Sequence, residues 1–409
     1  MPRTPSLTPR KLITAKAHAS DILTRGVEEV IVREHLEAAL RSGKKLRVKF
    51  GIDPTSPDLH LGHTVPLRKL RAFQDLGHKA VLIIGDFTAM VGDPSGRSEA
   101  RRLLSEKDVR TNMQNYLVQI GKVIDVPNAE IRRNSEWYKK KGVGFLYDLF
   151  SKVTVQRAVE RDDFQKRMAQ GQDVSVLEVI YPLLQGYDSV AVGADVEIGG
   201  SDQKFNLLMG RRIQRRYNHP EQDILTAWLI EGTDGARKMS KSTGNYIGIR
   251  EAPGEMFGKI MAIPDGLIIK YFTALTDVPA DEIETMHRQM RSSKANPRDL
   301  KLALGEKIVA MYHSAAAARK ARDGFIRVFS KHEMPDDMPV VKLEHAGEWD
   351  PAALLVALGL APSKSEARRL VAQKAVEIDG QLVPADAKEV RVAEGTVIRV
   401  GKRRFVKVA

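Results

Sequence analysis

The chain has 409 residues, 43% of them hydrophobic and 29% charged, with no cysteine and a formal net charge of +13. That length suggests two or three domains, and the lack of cysteine excludes disulfides, thiolate catalysis and cysteine zinc sites. The positive balance suits a large anionic partner, because Lys and Arg gain affinity for phosphates by releasing counterions; a solvated basic surface is the plainer alternative.

No apolar run approaches the roughly 18 residues of a membrane-spanning helix, and none follows Met1-Pro2-Arg3. Neither a membrane span nor a secretory signal is expected, and a reducing, cytoplasmic setting fits. The charge is uneven: residues 351–409 hold eleven Lys and Arg against six Asp and Glu.

In chain order, residues 1–45 read as helical and polar. A first strand follows over 46–52, then a helix over 61–76 with Leu67, Leu70 and Phe73 at helical spacing. The short apolar run 80–84 has the signature of a buried parallel strand. Strand, helix and strand in this order make a βαβ unit. A helix over 175–187, a strand over 191–198, a helix over 202–217 and a strand over 224–229 continue the alternation. It argues for a doubly wound parallel sheet over most of residues 30–230. Residues 231–254 contain six glycines or prolines and read as a linker or loop. Residues 255–330 read as helical, and the polar, Pro-containing segment 331–348 as a second linker. Short helices over 351–358 and 364–373 and strands near 376–378, 397–400 and 405–408 complete the chain.

Several turns in this plan carry chemistry. Between the first strand and first helix runs Asp53-Pro54-Thr55-Ser56-Pro57-Asp58-Leu59-His60-Leu61-Gly62-His63. Ligands of open α/β sheets sit beyond the carboxyl ends of strands. A helix N-terminus there offers free N–H groups to a phosphate, and Thr55, His60 and His63 would surround it. Gly62 lets a base or ribose approach the backbone. On residues alone the histidines also read as a metal pair or as satisfied surface groups, although such a pair needs further ligands.

After the next strand comes Gly85-Asp86-Phe87-Thr88-Ala89-Met90-Val91-Gly92-Asp93-Pro94-Ser95-Gly96-Arg97, without Walker A spacing. Asp93 suits a substrate ammonium and Arg97 a phosphate; a plain turn is the alternative. Tyr181, Gln185 and Asp188 fall on one stripe of a predicted helix. In an apolar stretch such groups are costly unless they meet a polar ligand or one another; polarity at a helix end is the alternative. Asp202, in Gly199-Gly200-Ser201-Asp202-Gln203, suits a ribose hydroxyl or a helix cap. Lys238-Met239-Ser240-Lys241-Ser242 puts two lysines in a Gly-rich, mobile-looking segment. Such a segment can close over a triphosphate, though alone it also reads as a solvated charge run.

Together these pieces resemble the bacterial tyrosyl-tRNA synthetases, in the branch with His-Leu-Gly-His (60–63) and Lys-Met-Ser-Lys-Ser (238–242) signatures. Five separate pieces occur in family order, and the resemblance spans essentially the whole chain. It implies a Rossmann-like α/β catalytic domain over 1–250, an α-helical domain over 251–335 and a small α+β S4-like RNA-binding domain over 349–409. It implies activation of L-tyrosine by ATP, with Mg2+ on the phosphates, then transfer to the 3′ end of tRNA(Tyr) by a homodimer.

By the same resemblance, Thr55, His60 and His63 would contact ATP phosphates and Gly62 would admit the adenosine. Asp202 would bind the ribose and Gln203 the tyrosyl group. Asp93, Tyr181 and Gln185 would hold the tyrosine ammonium, and Asp188 would accept the phenol hydroxyl. Lys238 and Lys241 would stabilise the transition state. Thr88 and Asn134 also match pocket positions. Lys364, Arg368, Arg369 and Lys374, with Lys402, Arg403 and Arg404, would meet RNA phosphates. Many family members carry a tyrosine that donates to the phenol where this chain has Lys49. Either the local alignment slips, or the phenol is read with a different second partner.

Three rivals remain on sequence. A tryptophan synthetase shares both signatures, but the Tyr181/Gln185/Asp188 stripe and basic tail favour tyrosine. A small-molecule nucleotidyltransferase explains the histidines but neither the lysine loop nor the tail. A noncatalytic RNA-binding protein leaves the ATP-site motifs unexplained.

Overall fold

The computed structural model describes residues 19–95, 103–330, 338–401 and 404–409. Outside them lie Arg97, Lys402 and Arg403, the first part of the polar N-terminal segment, and residues 331–337 of the expected second linker. Six strands build the main sheet: β1 (Val27–Ile31), β2 (Arg47–Ile52), β3 (Lys79–Ile84), β4 (Glu130–Arg133), β5 (Val196–Gly200) and β6 (Asp223–Ala227). Their order is β1-β6-β5-β2-β3-β4. β2 pairs in parallel with β3 and β5, β3 with β4, and β5 with β6. β1 is antiparallel to β6. The expected doubly wound sheet is therefore present but mixed, with an antiparallel edge.

The two edge strands are the ones that sequence reading misses. β1 (Val-Glu-Glu-Val-Ile) and β4 (Glu-Ile-Arg-Arg) are half solvated, so neither shows an apolar run. The inner strands β3 and β6 are buried almost throughout and read clearly. The helix Leu61–Asp75 lays Leu61, Val65, Leu67, Leu70 and Phe73 into the core. Each such side chain contributes about 1.5–3 kcal/mol when fully buried.

One boundary moves. The helix Val176–Val192 runs through the positions expected to open a strand at 191. Gly193, in the left-handed conformation (φ 60°), ends it, and β5 starts at Val196.

Because β2, β3, β5 and β6 are parallel, their carboxyl ends share one edge. The segments after them, carrying the 53–63, 85–95, 201–203 and 238–242 motifs, therefore converge, with β2 at the switch point between β5 and β3. Residues 253–330 are mainly helical: Pro253–Met261, Ile268–Leu275, Ala280–Arg291, Pro297–Tyr312 and Ala315–Ser330. Arg25 closes the end of Ile268–Leu275, donating to the carbonyls of Thr273 (2.9 Å) and Thr276 (2.8 Å).

The chain forms two compact units, 1–318 and 319–409. In the second, helices Pro351–Ala357 and Lys364–Ala372 share a core with a five-stranded sheet. Part of the expected second linker is structured. Val340–Val341 pairs in parallel with Arg404–Val408, and Gly347–Trp349 pairs with Val390–Val392. Strands of two and three residues are too short to show a period.

Candidate active site

A cavity of about 690 Å³ opens at the carboxyl edge of the sheet. It is lined by Thr55, His60, Gly62, His63, Thr88, Asp93, Tyr181, Gln185, Asp188, Asp202, Gln203, Lys238 and Lys241, whereas Asn134 stands behind the wall, bonded to Thr88 and Asp188, and Arg97 lies outside the described residues.

The two histidines open the helix Leu61–Asp75, with His60 as its N-cap. The backbone N–H of His60 donates to His63 Nδ1 at 3.2 Å, and the rings lie 3.7 Å apart. A Cβ at Gly62 would sit 3.0 Å from the His60 ring, so glycine allows this packing. Burial, then His63 and the two loop lysines, holds His60 far below the ordinary imidazole range; burial takes His63 down to about 4. Both rings are neutral at pH 7, so each offers one N–H. His60 Nδ1 is buried without a hydrogen-bond partner. No group of three His, Cys, Asp or Glu able to hold a metal occurs among the described residues.

The lysine segment is more ordered than its glycines suggest. Met239 N–H donates to the Ile230 carbonyl at 2.7 Å, and a bridge joins Glu231 to Lys238. Asn245, 3% exposed, organises the turn. Its Oδ1 accepts from the Ser240 N–H at 2.8 Å, and its Nδ2 donates to Asp234 and to the carbonyls of Arg237 and Lys238. A second bridge, His60 to Gly248, ties the segment's exit to the histidine turn. It is therefore a docked loop, not a linker. Lys241 donates to Ser56 Oγ (3.1 Å) and the Asp58 carbonyl (2.6 Å), and Lys238 pairs with Asp202 at 2.7 Å.

The inner half of the cavity centres on Asp53, which sequence reading passes over as part of a turn. Its two carboxylate oxygens accept from Thr88 Oγ1 (2.8 Å) and Tyr181 OH (2.9 Å). Burial pushes the carboxyl up to about 7, reinforced by Asp93 and Asp188 and opposed by these hydrogen bonds. Beside it, Asp93 accepts from Gln203 Nε2 at 2.7 Å. Asn206, another residue that sequence reading misses, donates to the side-chain oxygens of Gln185 and Gln203, both at 3.0 Å.

Asp188 forms the far end. Its Oδ1 accepts from Trp137 Nε1 (2.9 Å) and Tyr138 OH (3.0 Å), and its Oδ2 from Asn134 Nδ2 (3.2 Å). Burial raises it to about 6, against the Lys49 charge and these donors. The 181/185/188 stripe is thus satisfied by protein partners, not by one another. Trp137 and Tyr138 give no local signal, because only the tertiary fold sets the Ser135–Ser151 helix against this one.

In the second unit, Lys364, Arg368 and Arg369 lie exposed on the helix Lys364–Ala372, with exposed Lys374 in the following turn. Arg369 pairs with Glu366 at 2.8 Å, and Arg404 donates to the Leu360 carbonyl at 2.6 Å.

Comparison with known proteins gives the chain its family. The family model for class I tRNA synthetases (W and Y) matches residues 41–330, and that for the C-terminal domain of SYY-like tyrosine–tRNA ligases matches 331–408. The chain is 48% identical to the tyrosine–tRNA ligase of Moorella thermoacetica, over 97% of each chain. It is 49% identical to that of Thermotoga maritima, over 95% of this chain and 96% of the relative. The crystal structure of the Archaeoglobus fulgidus tyrosyl-tRNA synthetase with L-tyrosine superposes at a TM-score of 0.59 and 25% identity, covering 74% of this chain and 98% of that one. With its sheet, its histidine turn and its lysine loop, the chain belongs to the class I tRNA synthetases (W and Y), as one of their tyrosine–tRNA ligases.

Proposed function

We propose that this cavity joins L-tyrosine to ATP as tyrosyl-adenylate, releasing pyrophosphate, and that the tyrosyl group then passes to the 3′ end of tRNA(Tyr). The observation that carries the reading is one cavity lined by both cations and carboxylates. Lys238, Lys241 and two neutral imidazoles share it with Asp53, Asp93 and Asp188.

The substrate carboxylate is already a nucleophile, so its attack on the α-phosphorus requires no general base. Catalysis rests on positioning and on charge stabilisation. Asp93, Tyr181 and Gln185 take the ammonium and Gln203 the tyrosyl group, while Asp188 accepts a hydrogen bond from the phenol hydroxyl. Thr55, His60 and His63 donate to phosphate oxygens, each neutral imidazole through its one ring N–H. Gly62 admits the adenosine and Asp202 the ribose. Binding of the nucleotide draws Lys238 off Asp202 and onto the leaving phosphates together with Lys241. Mg2+ suits this site as a companion of the triphosphate, since it is commonly bound through substrate phosphates with few protein ligands.

Lys364, Arg368, Arg369 and Lys374 supply phosphate contacts that position the tRNA. A homodimer accounts for apolar side chains left in the open, among them Val143 (62% exposed) and Tyr147 (71%), one turn apart on a helix. A cytoplasmic location suits an enzyme whose product feeds protein synthesis. No helix of the described residues is long and apolar enough to cross a membrane.

Amino-acid-dependent ATP–pyrophosphate exchange, run with each standard amino acid, tests the reading. Exchange is expected with tyrosine alone. Exchange with tryptophan would overturn the assignment of Asp188, and none with any amino acid would overturn adenylation.

A further inference from the structure

Lys49, a cation in the wall of the cavity, is 0% exposed. It stands on β2 directly across from Glu197 on β5. Its ammonium pairs with Glu197 Oε1 at 2.8 Å. It also donates to Ser189 Oγ (2.7 Å) and to the Gln185 carbonyl (3.0 Å). All three of its protons are thereby engaged, so Lys49 has none left for a substrate.

A buried ion pair is weak evidence for stability, because desolvation offsets the attraction. What distinguishes this pair is where it acts. Glu197 is acceptor-only, and its Oε1 accepts from Gln185 Nε2 at 3.2 Å. That bond turns Gln185 Oε1 the other way, toward Asn206 Nδ2 at 3.0 Å and the cavity. Gln185 therefore presents an oxygen to a substrate ammonium. Ser189 Oγ and Gln222 Nε2 hold the other Glu197 oxygen. On the same helix, three residues beyond Gln185, lies Asp188. The Lys49 charge is the foremost influence that opposes burial at its carboxyl.

We infer that Lys49, clamped on Glu197, is a positioning residue for tyrosine recognition: it orients Gln185 at the ammonium end of the pocket, on the helix that also carries Asp188. This rests on the reading of Asp188 as the phenol acceptor. The charged and titratable groups around Asp188 are Lys49 and Asp53 from β2 and its exit, Tyr138 from the Ser135–Ser151 helix, and Tyr181 on its own helix. Lys49 is the cation among them. As pH falls through about 6, Asp188 takes up a proton and no longer offers the phenol a charged acceptor. Without the Lys49 charge, that midpoint moves upward.

The test is pyrophosphate exchange by the full-length enzyme from pH 5.5 to 8.5, with the KM for tyrosine and for ATP and the tyrosine-over-phenylalanine ratio measured for each variant. Lys49→Met with Glu197→Gln removes both charges together, so no lone charge stays buried. Its tyrosine KM at pH 7 is expected to rise by about tenfold as Gln185 loses its orientation and its midpoint to move upward, with ATP KM little changed. A folded double variant with parental tyrosine KM and midpoint would overturn the inference. Asp188→Asn separates the two readings: loss of discrimination there with no effect of the double variant condemns only the role of Lys49. Unchanged discrimination condemns the phenol reading and the inference with it. If the double variant does not fold, Ser189→Ala decides. It removes one anchor of Lys49 and buries no charge, and it is expected to raise tyrosine KM severalfold. No change there would equally overturn the inference.

Discussion

Gly85→Ala tests whether Asp53 organises the tyrosine end of the site. Gly85 follows β3, and its N–H donates to the Ile52 carbonyl at 3.0 Å, so the β2 exit passes close beside it. A Cβ at 85 would overlap Asp53 Oδ1 and Thr88 Oγ1 and stand 3.1 Å from Asp53 Cγ. Asp53 must move, and it loses at least one of its hydrogen bonds from Thr88 and Tyr181. With Asp53 near half-ionised at pH 7, such a hydrogen bond contributes about 1–2 kcal/mol, between the neutral and charged cases. Stability is expected to fall by that amount, on the order of 5 °C in melting temperature. Tyr181 loses its anchor in the pocket, so kcat/KM for tyrosine in pyrophosphate exchange is expected to fall at least about tenfold, or ~1.4 kcal/mol. Gly258→Ala, in the helix Pro253–Met261, is the control: nothing lies within 4 Å of its added methyl, and it is expected to leave kcat/KM unchanged and stability equal or slightly raised. A Gly85→Ala enzyme with parental melting temperature and parental kcat/KM would refute the role given to Asp53.

Two further outcomes are expected. Lys241→Ala should slow adenylate formation in single turnovers by a factor of about 100 or more, as for loss of a group that acts on transition-state charge, with tyrosine affinity little altered. Equal losses in rate and affinity would remove the loop from the chemistry. Replacing Lys364, Arg368, Arg369 and Lys374 together by alanine should leave tyrosine-dependent exchange intact while tRNA charging weakens and becomes less sensitive to salt. Charging at the parental rate and salt dependence would exclude that helix from the RNA interface.

By itself the sequence determined the parts whose signals are local. The buried run 80–84, the helical spacing of Leu67, Leu70 and Phe73, and the histidine, lysine and Gly199–Gln203 motifs are legible because each is written within about a dozen consecutive residues. Once those motifs are seen to follow strands of a parallel sheet, their meeting at one edge follows too. The solvated edge strand Val27–Ile31 stayed hidden because an exposed strand carries little apolar signal. The order in the lysine loop stayed hidden because a single buried amide, Asn245, imposes it from outside the motif. Tertiary structure alone decided the partners of the buried charges. Lys49 meets Glu197 only through the register of β2 on β5. Asp53 meets Tyr181, and Asp188 meets Trp137 and Tyr138, only once helices pack over the sheet. A buried carboxylate needs a donor but does not say which one, and distant segments supply it through the fold.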